Sequence, residues 1–288
     1  MEKQGNVLVV DFNNIWNKYL YVRKGDFTST IISVLHLFRS IYKSKFFSKV
    51  FIVMDGKPDE KYNEYKQYKQ NRKKNPDKYI PLKVVTSVLS QYFTVVGGKR
   101  LEGDEVIAYV ALKANRKYNT YIFSNDKDFI QLMQYGINIV SSFKQGKINE
   151  LLTSEQALLK FKNNKGLPLK DLKYVLPYRV FKGDSSDGIP SACTGMRDDC
   201  IREIIYNHWG ECDVLTETSF TEMLNSISDT KLIDKLSEHK EHIFRNFKLM
   251  NLCTISDNIK SQIHKIYYKF DYEGLKQYTT QEDLYKWV

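Results

Sequence analysis

Four short apolar runs in this chain each lead into an acid, and that recurrence constrains the fold more than any other feature. VLVV (7–10) runs straight into Asp11, and VFIVM (50–54) straight into Asp55. YIFS (121–124) is followed two residues on by Asp126, and FTVV (93–96) leads through a loop to Glu102. A fifth run, INIV (137–140), follows. Unbroken apolar runs of this length are strands covered on both faces. Between them the spacing turns helical, through Ile31, Val34, Leu35, Phe38 and Ile41, then over 82–92, 104–116 and 128–134. This alternation predicts an α/β fold with a mostly parallel central sheet. The C-terminal ends of such strands share one rim, where ligands bind. Four strands therefore deliver carboxylates to one place.

After about Leu169 the strand signal fades. Helices are expected over 171–181, 198–208, 219–226, 230–250 and 259–278, with a Gly/Ser/Pro-rich connector from Gly183 to Gly195. The boundary is placed in KGLPL (165–169), giving an α/β domain over 1–168 and a helical region over 169–288. The chain's 288 residues, 42% of them hydrophobic, suffice for a real core and exclude a disordered or collagen-like chain. No apolar run approaches the ~18 residues of a membrane span. Asp11 interrupts the only early apolar run, so no secretory signal is expected and the protein is read as soluble and cytoplasmic. The four cysteines form no CxxC pair, and His239 and His242 lack further ligands at finger spacing, so no zinc site is written here.

Each acid has an ordinary explanation alone. Asp104, Glu105 and Asp128 suit first-turn positions of helices, and Asp11 or Asp55 a turn. The Asp184–Asp187 pair in FKGDSSDGIP suits an Asx-turn with a cap equally well as two ligands aimed at one ion. The set is harder to explain, because gathered carboxylates repel and must take up protons or hold cations. Oxygen donors without Cys or His favour Mg²⁺, with Mn²⁺ as a substitute. Two ions ~3.5–4 Å apart suit phosphodiester displacement. No P-loop, Ser/His/Asp or Cys/His set is present, so the nucleophile reads as water at the metal rather than a side chain.

Residues 57–78 (KPDEKYNEYKQYKQNRKKNPDK) hold eight Lys/Arg against four Asp/Glu. As a helix they would set Tyr62, Tyr65 and Tyr68 beside Lys66, Lys69, Arg72 and Lys73, with Lys74 following. A solvated helix face is the common meaning of such a run. This one leaves the strand that ends at Asp55, so it rises from the acidic rim, where cations can hold phosphates that carboxylates repel. The whole chain carries a formal charge of +10, which suits a polyanionic partner.

Together these segments resemble the 5′ nucleases: flap endonucleases, the 5′-3′ exonuclease domain of bacterial DNA polymerase I, and phage 5′-3′ exonucleases. The resemblance is closest to the phage type, which includes the T-even phage ribonuclease H. VVDFNN resembles the family's first strand and Asp, and VMDG with YKQYKQNRKK the second Asp and basic arch. LEGDEVIAYVA, SNDKDFIQL, FKGDSSDGIP and FRNFKLMNL resemble four further family segments in order, so the matches run from about residue 7 to 255.

The resemblance implies a PIN-like α/β nuclease domain joined to a helix–three-turn–helix region. It implies a first metal held by Asp11, Asp55, Glu102 and Asp104 with help from Glu105, and a second by Asp126, Asp128, Asp184 and Asp187. Lys69 and Arg72 fall on the arch residues that contact the scissile phosphate. The implied activity is metal-dependent 5′-3′ exonuclease and 5′-flap endonuclease cleavage during replication, in the host cytoplasm if phage-encoded. Substrates would be DNA with a 5′ flap, nick or 5′ end, with RNA·DNA hybrids as a further class.

Three positions depart from the family pattern. Glu105 stands for Asp, and Gly103 for Ala in what reads as a harmless exchange. SACTGM stands for the Gly-rich hairpin that meets duplex phosphate, often with a monovalent cation such as K⁺. Arg197 and Arg202 are therefore expected to carry more of the duplex contact. Two other readings stay open: a catalytically silent DNA-binding module, and a PIN-type ribonuclease.

Overall fold

The computed structural model describes residues 2–70, 77, 79–211 and 213–280. Arg72, Lys73 and Lys74 lie outside the described residues. Seven strands among those described form one sheet: Asn6–Asp11 (β1), Lys49–Met54 (β2), Thr94–Gly97 (β3), Asn119–Phe123 (β4), Asn138–Lys144 (β5), Lys147–Leu151 (β6) and His264–Lys265 (β7). Their order is β6-β5-β4-β1-β2-β3-β7. The five strands foreseen from the apolar runs pair in parallel, and β6 and β7 close the two edges antiparallel.

The unbroken run of β1 serves two cores because successive side chains leave opposite faces. Leu8 and Val10 pack with Phe12, Ile15 and Trp16 of Phe12–Val22 (α1), with Ile31, Val34 and Phe38 of Phe27–Ser44 (α2), and with residues further along the chain. Asp59–Glu64 (α3) belongs to the basic segment, and Tyr79–Leu89 (α4) adds Val85 and Leu89 to that same core. On the opposite face Val7 and Val9 meet Val106, Ile107 and Ala111 of Gly103–Asn115 (α5).

The second core continues without a break into the C-terminal helices. After Ser154–Leu159 (α6) come Val175–Lys182 (α7), Asp198–Asn207 (α8), Glu217–Asn225 (α9), Thr230–Glu238 (α10) and Lys240–Met250 (α11). Val180 and Phe181, Ile201 and Ile204, and Ile243 and Leu249 bury against the same cluster as β1. Asn246 explains the FRNFKLMNL segment: fully buried, it donates to Val180 O at 3.0 Å and Pro190 O at 2.9 Å, fixing α11 to the loop that carries Asp184 and Asp187.

Three elements differ from the sequence reading. Residues 230–250 form two helices broken at His239, and 259–278 is Asp257–Gln262 (α12), the edge strand β7 and Tyr272–Lys276 (α13) rather than one helix. The basic segment is not one helix: α3 ends at Tyr65, whose backbone is extended, and turns follow to Gln70. Tyr68 therefore leaves the expected aromatic stripe and is buried.

Candidate active site

The parallel register sets the rim. Asp11 ends β1 opposite Val53, so Asp55 follows just beyond, and Val10 pairs with Phe123, which brings Ser124 level with Asp11. Ser124 Oγ donates to Asp11 Oδ2 at 2.8 Å. The loop after β3 closes on the residues after β2 so tightly that Gly56 could carry no side chain: a Cβ there would stand 2.0 Å from Gly98 O. That approach brings Glu102 and α5 to the same rim.

The acids also start helices, as the ordinary reading of their positions expects. Asp11 caps α1 by accepting from Asn14 N at 3.1 Å, and Asp126 accepts from Asp128 N at 2.9 Å. Glu105 Oε2 accepts from Glu102 N at 3.1 Å, which turns Glu105 back to the start of α5. Asp55 Oδ1 accepts from Gly103 N at 2.7 Å, and its other oxygen from Asn13 Nδ2. A Cβ at Gly103 would stand 2.3 Å from Asp55 Oδ1, so with Ala the end of the Asp55 side chain would have to shift.

Eight of the nine acids fall into three neighbourhoods, and Glu105 stands at the start of α5. Asp11, Asp55, Asp104 and Asp126 are without a salt bridge among the described residues. Burial, then Asp55 and Asp126, pushes Asp11 up to about 7. Burial and the neighbouring Asp128 push Asp126 up to about 6, and burial with Glu102 raises Asp104 well above the usual range. Burial also raises Glu105.

Glu102 is different. Burial works against its charge, but Lys61 Nζ at 2.7 Å and the Lys69 ammonium hold it down at about 2, with Tyr68 OH donating at 2.8 Å. Asp187 joins this group, 3.6 Å from Lys69 Nζ and 3.4 Å from Tyr68 OH. Lys69 has a left-handed backbone, φ 53°, and its N–H donates to Asp187 O at 2.8 Å.

The third group is Asp128 and Asp184, bridged by Arg179 Nη2 at 2.8 and 2.9 Å, with Lys127 Nζ 3.2 Å from Asp184. Burial opposes the charge of Asp184, yet the Ser186 hydrogen bond and Arg179 hold it below the usual carboxylate range. The expected second set of Asp126, Asp128, Asp184 and Asp187 is thus divided among all three groups. No three acid, imidazole or thiol groups among the described residues close around one point as metal ligands.

Lys61, Tyr68, Lys127 and Arg179 were not singled out from the sequence as partners of the acids. The first two lie in the basic segment, where only a fold that buries Tyr68 reveals the contact with Glu102. Arg179 precedes Asp184 by five residues across the end of α7, and only the turn at Gly183 brings it back.

Of the expected DNA contacts, Lys66 and Arg197 are exposed. Arg202 is a correction. It is 6% exposed, and its guanidinium bonds Asp198 Oδ2 at 2.6 Å, Pro168 O at 2.8 Å and Phe161 O at 2.6 Å. The glycine-poor hairpin suggested that Arg202 would meet duplex, but Arg202 faces the packed side of α8. Arg202→Ala is expected to cost about 3 kcal/mol in chemical denaturation, since it strands an ion-pair partner and two carbonyls. An unchanged midpoint would show that these bonds are not structural.

Asp11 and Asp126 also give a pH expectation. Their folded pKa values lie above the unfolded ones, so their contribution to stability is full below about pH 4 and is lost as pH rises toward 7. In EDTA, the Tm advantage of Asp11→Asn over wild type should therefore widen from pH 5 to pH 8. A constant difference would mean that burial and the neighbouring acids do not raise Asp11.

The family model described as the 5′-3′ exonuclease N-terminal, resolvase-like domain matches residues 6–162. The chain belongs to the 5′-3′ exonuclease family. It is therefore a nuclease, an enzyme that hydrolyses phosphodiester bonds. The 5′-3′ exonuclease of Mycoplasmopsis pulmonis is 25% identical over 244 residues, 83% of this chain and 75% of that protein. DNA polymerase I of Borreliella burgdorferi is 25% identical over 88% of this chain but only 26% of its own length. The structure of the T5 5′-exonuclease with zinc ions bound superposes with a TM-score of 0.67 at 18% identity, covering 98% of this chain and 100% of that one. The catalytic core of Rad2 in complex with DNA substrate gives 0.50 at 18% identity, covering 99% and 92%. These likenesses establish the α/β, PIN-like fold. Among the described residues no helix is long and apolar enough to cross a membrane.

Proposed function

We propose that this chain is a divalent-metal-dependent 5′ nuclease that cuts DNA at 5′ flaps, nicks and 5′ ends, with Mg²⁺ as the working ion. One observation carries the reading: Asp11, Asp55, Asp104 and Asp126 gather on the strand-end rim without a salt bridge among the described residues, beside the cation Lys69. Their donor set fits the ion, because carboxylate oxygens without sulfur or imidazole suit a hard divalent cation. The ion, when bound, would supply charge neutralisation at the phosphate and lower the pKa of water.

The chain's own residues do the rest. Ser124 and the Asn14 amide hold Asp11 at the rim, while the Gly103 amide and Asn13 orient Asp55. Lys69, poised between Glu102 and Asp187, offers a cation to a phosphate that displaces those contacts. Exposed Lys66 and Arg197 extend the positive surface for neighbouring phosphates. The T5 and Rad2 relatives bearing metal ions or DNA support this assignment by analogy of fold.

The test compares a 5′-flap duplex, a nicked duplex, an RNA·DNA hybrid with a 5′ RNA end, and matched single-stranded RNA in Mg²⁺. The proposal expects flap and nick cleavage to exceed cleavage of single-stranded RNA, with the hybrid reporting whether primers are also substrates. A preference for single-stranded RNA would favour a PIN-type ribonuclease instead, and binding without cutting would favour a silent DNA-binding module.

A further inference from the structure

The end of the sheet away from the rim carries a groove that the cutting site does not use. Phe46 and Phe47 immediately precede β2, and Ser48 N donates to Asn6 O at 2.9 Å, so this segment sits where β1 and β2 begin. The length of β2 separates it from the acids by about 20 Å. Lys43, Ser44 and Phe46, at the end of α2 and just beyond, and Gln145, Lys147 and Ile148, from the β5–β6 hairpin, line a groove of about 740 Å³. Its walls are fixed by packing. Gln145 (φ 50°) and Gly146 (φ 77°) turn the hairpin so tightly onto α2 that a Cβ at Gly146 would stand 2.2 Å from Ser40 O. Phe46 is 45% exposed, yet its ring is braced edge-on by Phe47 and Tyr121, with centroids 4.9 and 6.0 Å away.

The charge around this groove has one sign. Segments 39–49 and 143–148 hold six Lys/Arg and no Asp or Glu. Lys43 and Lys147 are exposed and form no salt bridge among the described residues. The next acid along the hairpin, Glu150, accepts from Ser141 Oγ at 2.9 Å.

We propose that this groove docks an acidic peptide segment of a partner protein. An apolar side chain of that segment, such as Leu or Phe, packs on Phe46 and Ile148, and its carboxylates meet Lys43 and Lys147. The lysines select an anion by charge complementarity. The rigid ring and the aliphatic lysine stems select an apolar group beside it. Duplex DNA satisfies only the first demand, because its phosphates could reach the lysines while its stacked bases leave the Phe46–Ile148 wall wet. A second copy of this chain, with its formal charge of +10, brings like charge to the same place.

Fluorescence anisotropy of the full chain with two labelled peptides tests this in EDTA, without turnover. One is Asp-Glu-Asp-Glu-Leu-Phe with a free C-terminus, and the other carries Leu-Phe between its acids. At least one is expected to bind with a Kd of about 100 μM or tighter. Replacing its acids by Asn and Gln, or its Leu-Phe by Ser-Ser, should weaken binding by about tenfold. Lys43→Glu with Lys147→Glu should weaken it as much, and so should Phe46→Ala, which truncates a half-exposed ring and covers the case in which the double variant does not fold. Affinity for a 5′-flap duplex should stay within about twofold in both variants. Failure of both peptides to bind, or binding that the groove variants leave unchanged, would overturn the inference. So would a tenfold loss of flap affinity in the variants, which would make the groove a DNA surface. A dimer in sedimentation that Phe46→Ala dissolves would likewise overturn it, by assigning the groove to a second copy.

Discussion

Asp126→Asn is expected to lower single-turnover cleavage of a 5′-flap duplex by at least ~100-fold while DNA binding stays within a few-fold. The carboxylate sits where β4 ends, and burial together with Asp128 raises its pKa to about 6. Removing one charge from a group of acids without a salt bridge among the described residues relieves repulsion, so the fold should not suffer. Asn keeps an oxygen that can accept from the Asp128 amide, which preserves the start of the segment Lys127–Tyr135. Loss of rate without a fall in Tm therefore reports a lost metal ligand rather than a damaged helix start. A variant cutting near the wild-type rate would remove Asp126 from the site.

Lys69→Ala should separate chemistry from binding in the same way, with a loss of ~100-fold in single-turnover rate against less than ~5-fold in Kd. Its ammonium contacts Glu102 and Asp187 in the free protein, and Lys61 remains on Glu102 when it is removed. The site therefore stays partly neutralised, and the missing cation is felt mainly as charge develops on the phosphate. Lys66→Ala, from an exposed position, should instead weaken binding and flatten its salt dependence. Equal effects on rate and binding at both positions would reduce the segment to a generic basic surface.

The parallel sheet was legible because its signal is local: an unbroken apolar run such as VLVV has one common meaning, and the acid after it falls on the rim by topology. The helix α1 was not foreseen, since Asn13, Asn14 and Asn17 interrupt the apolar residues of FNNIWNKYLYV and its start depends on Asp11 serving as a cap. The edge strands β6 and β7 escaped for a related reason. KINEL is mostly exposed, and His264–Lys265 is a two-residue strand that pairs with β3.

At the site, the acids could be named from spacing, but their partners could not. Lys61 reaches Glu102 across 41 residues and Tyr68 reaches Asp187 across 119, distances over which sequence spacing is silent. The same limit made Arg202 read as a surface cation. An amphipathic helix shows which residues share a face, and only packing shows that this one points at Phe161 and Pro168 carbonyls.

The central claim, that the acids on this rim form a cation-requiring cutting site, is tested most directly by one measurement. A 5′-end-labelled flap duplex is incubated with excess wild-type protein in EDTA, and Mg²⁺ is then added to the same sample. The account predicts no cleavage in EDTA and cleavage near the flap junction on addition of Mg²⁺. Equal cleavage in EDTA, or none in Mg²⁺ by protein that is folded and bound to the flap, would contradict it.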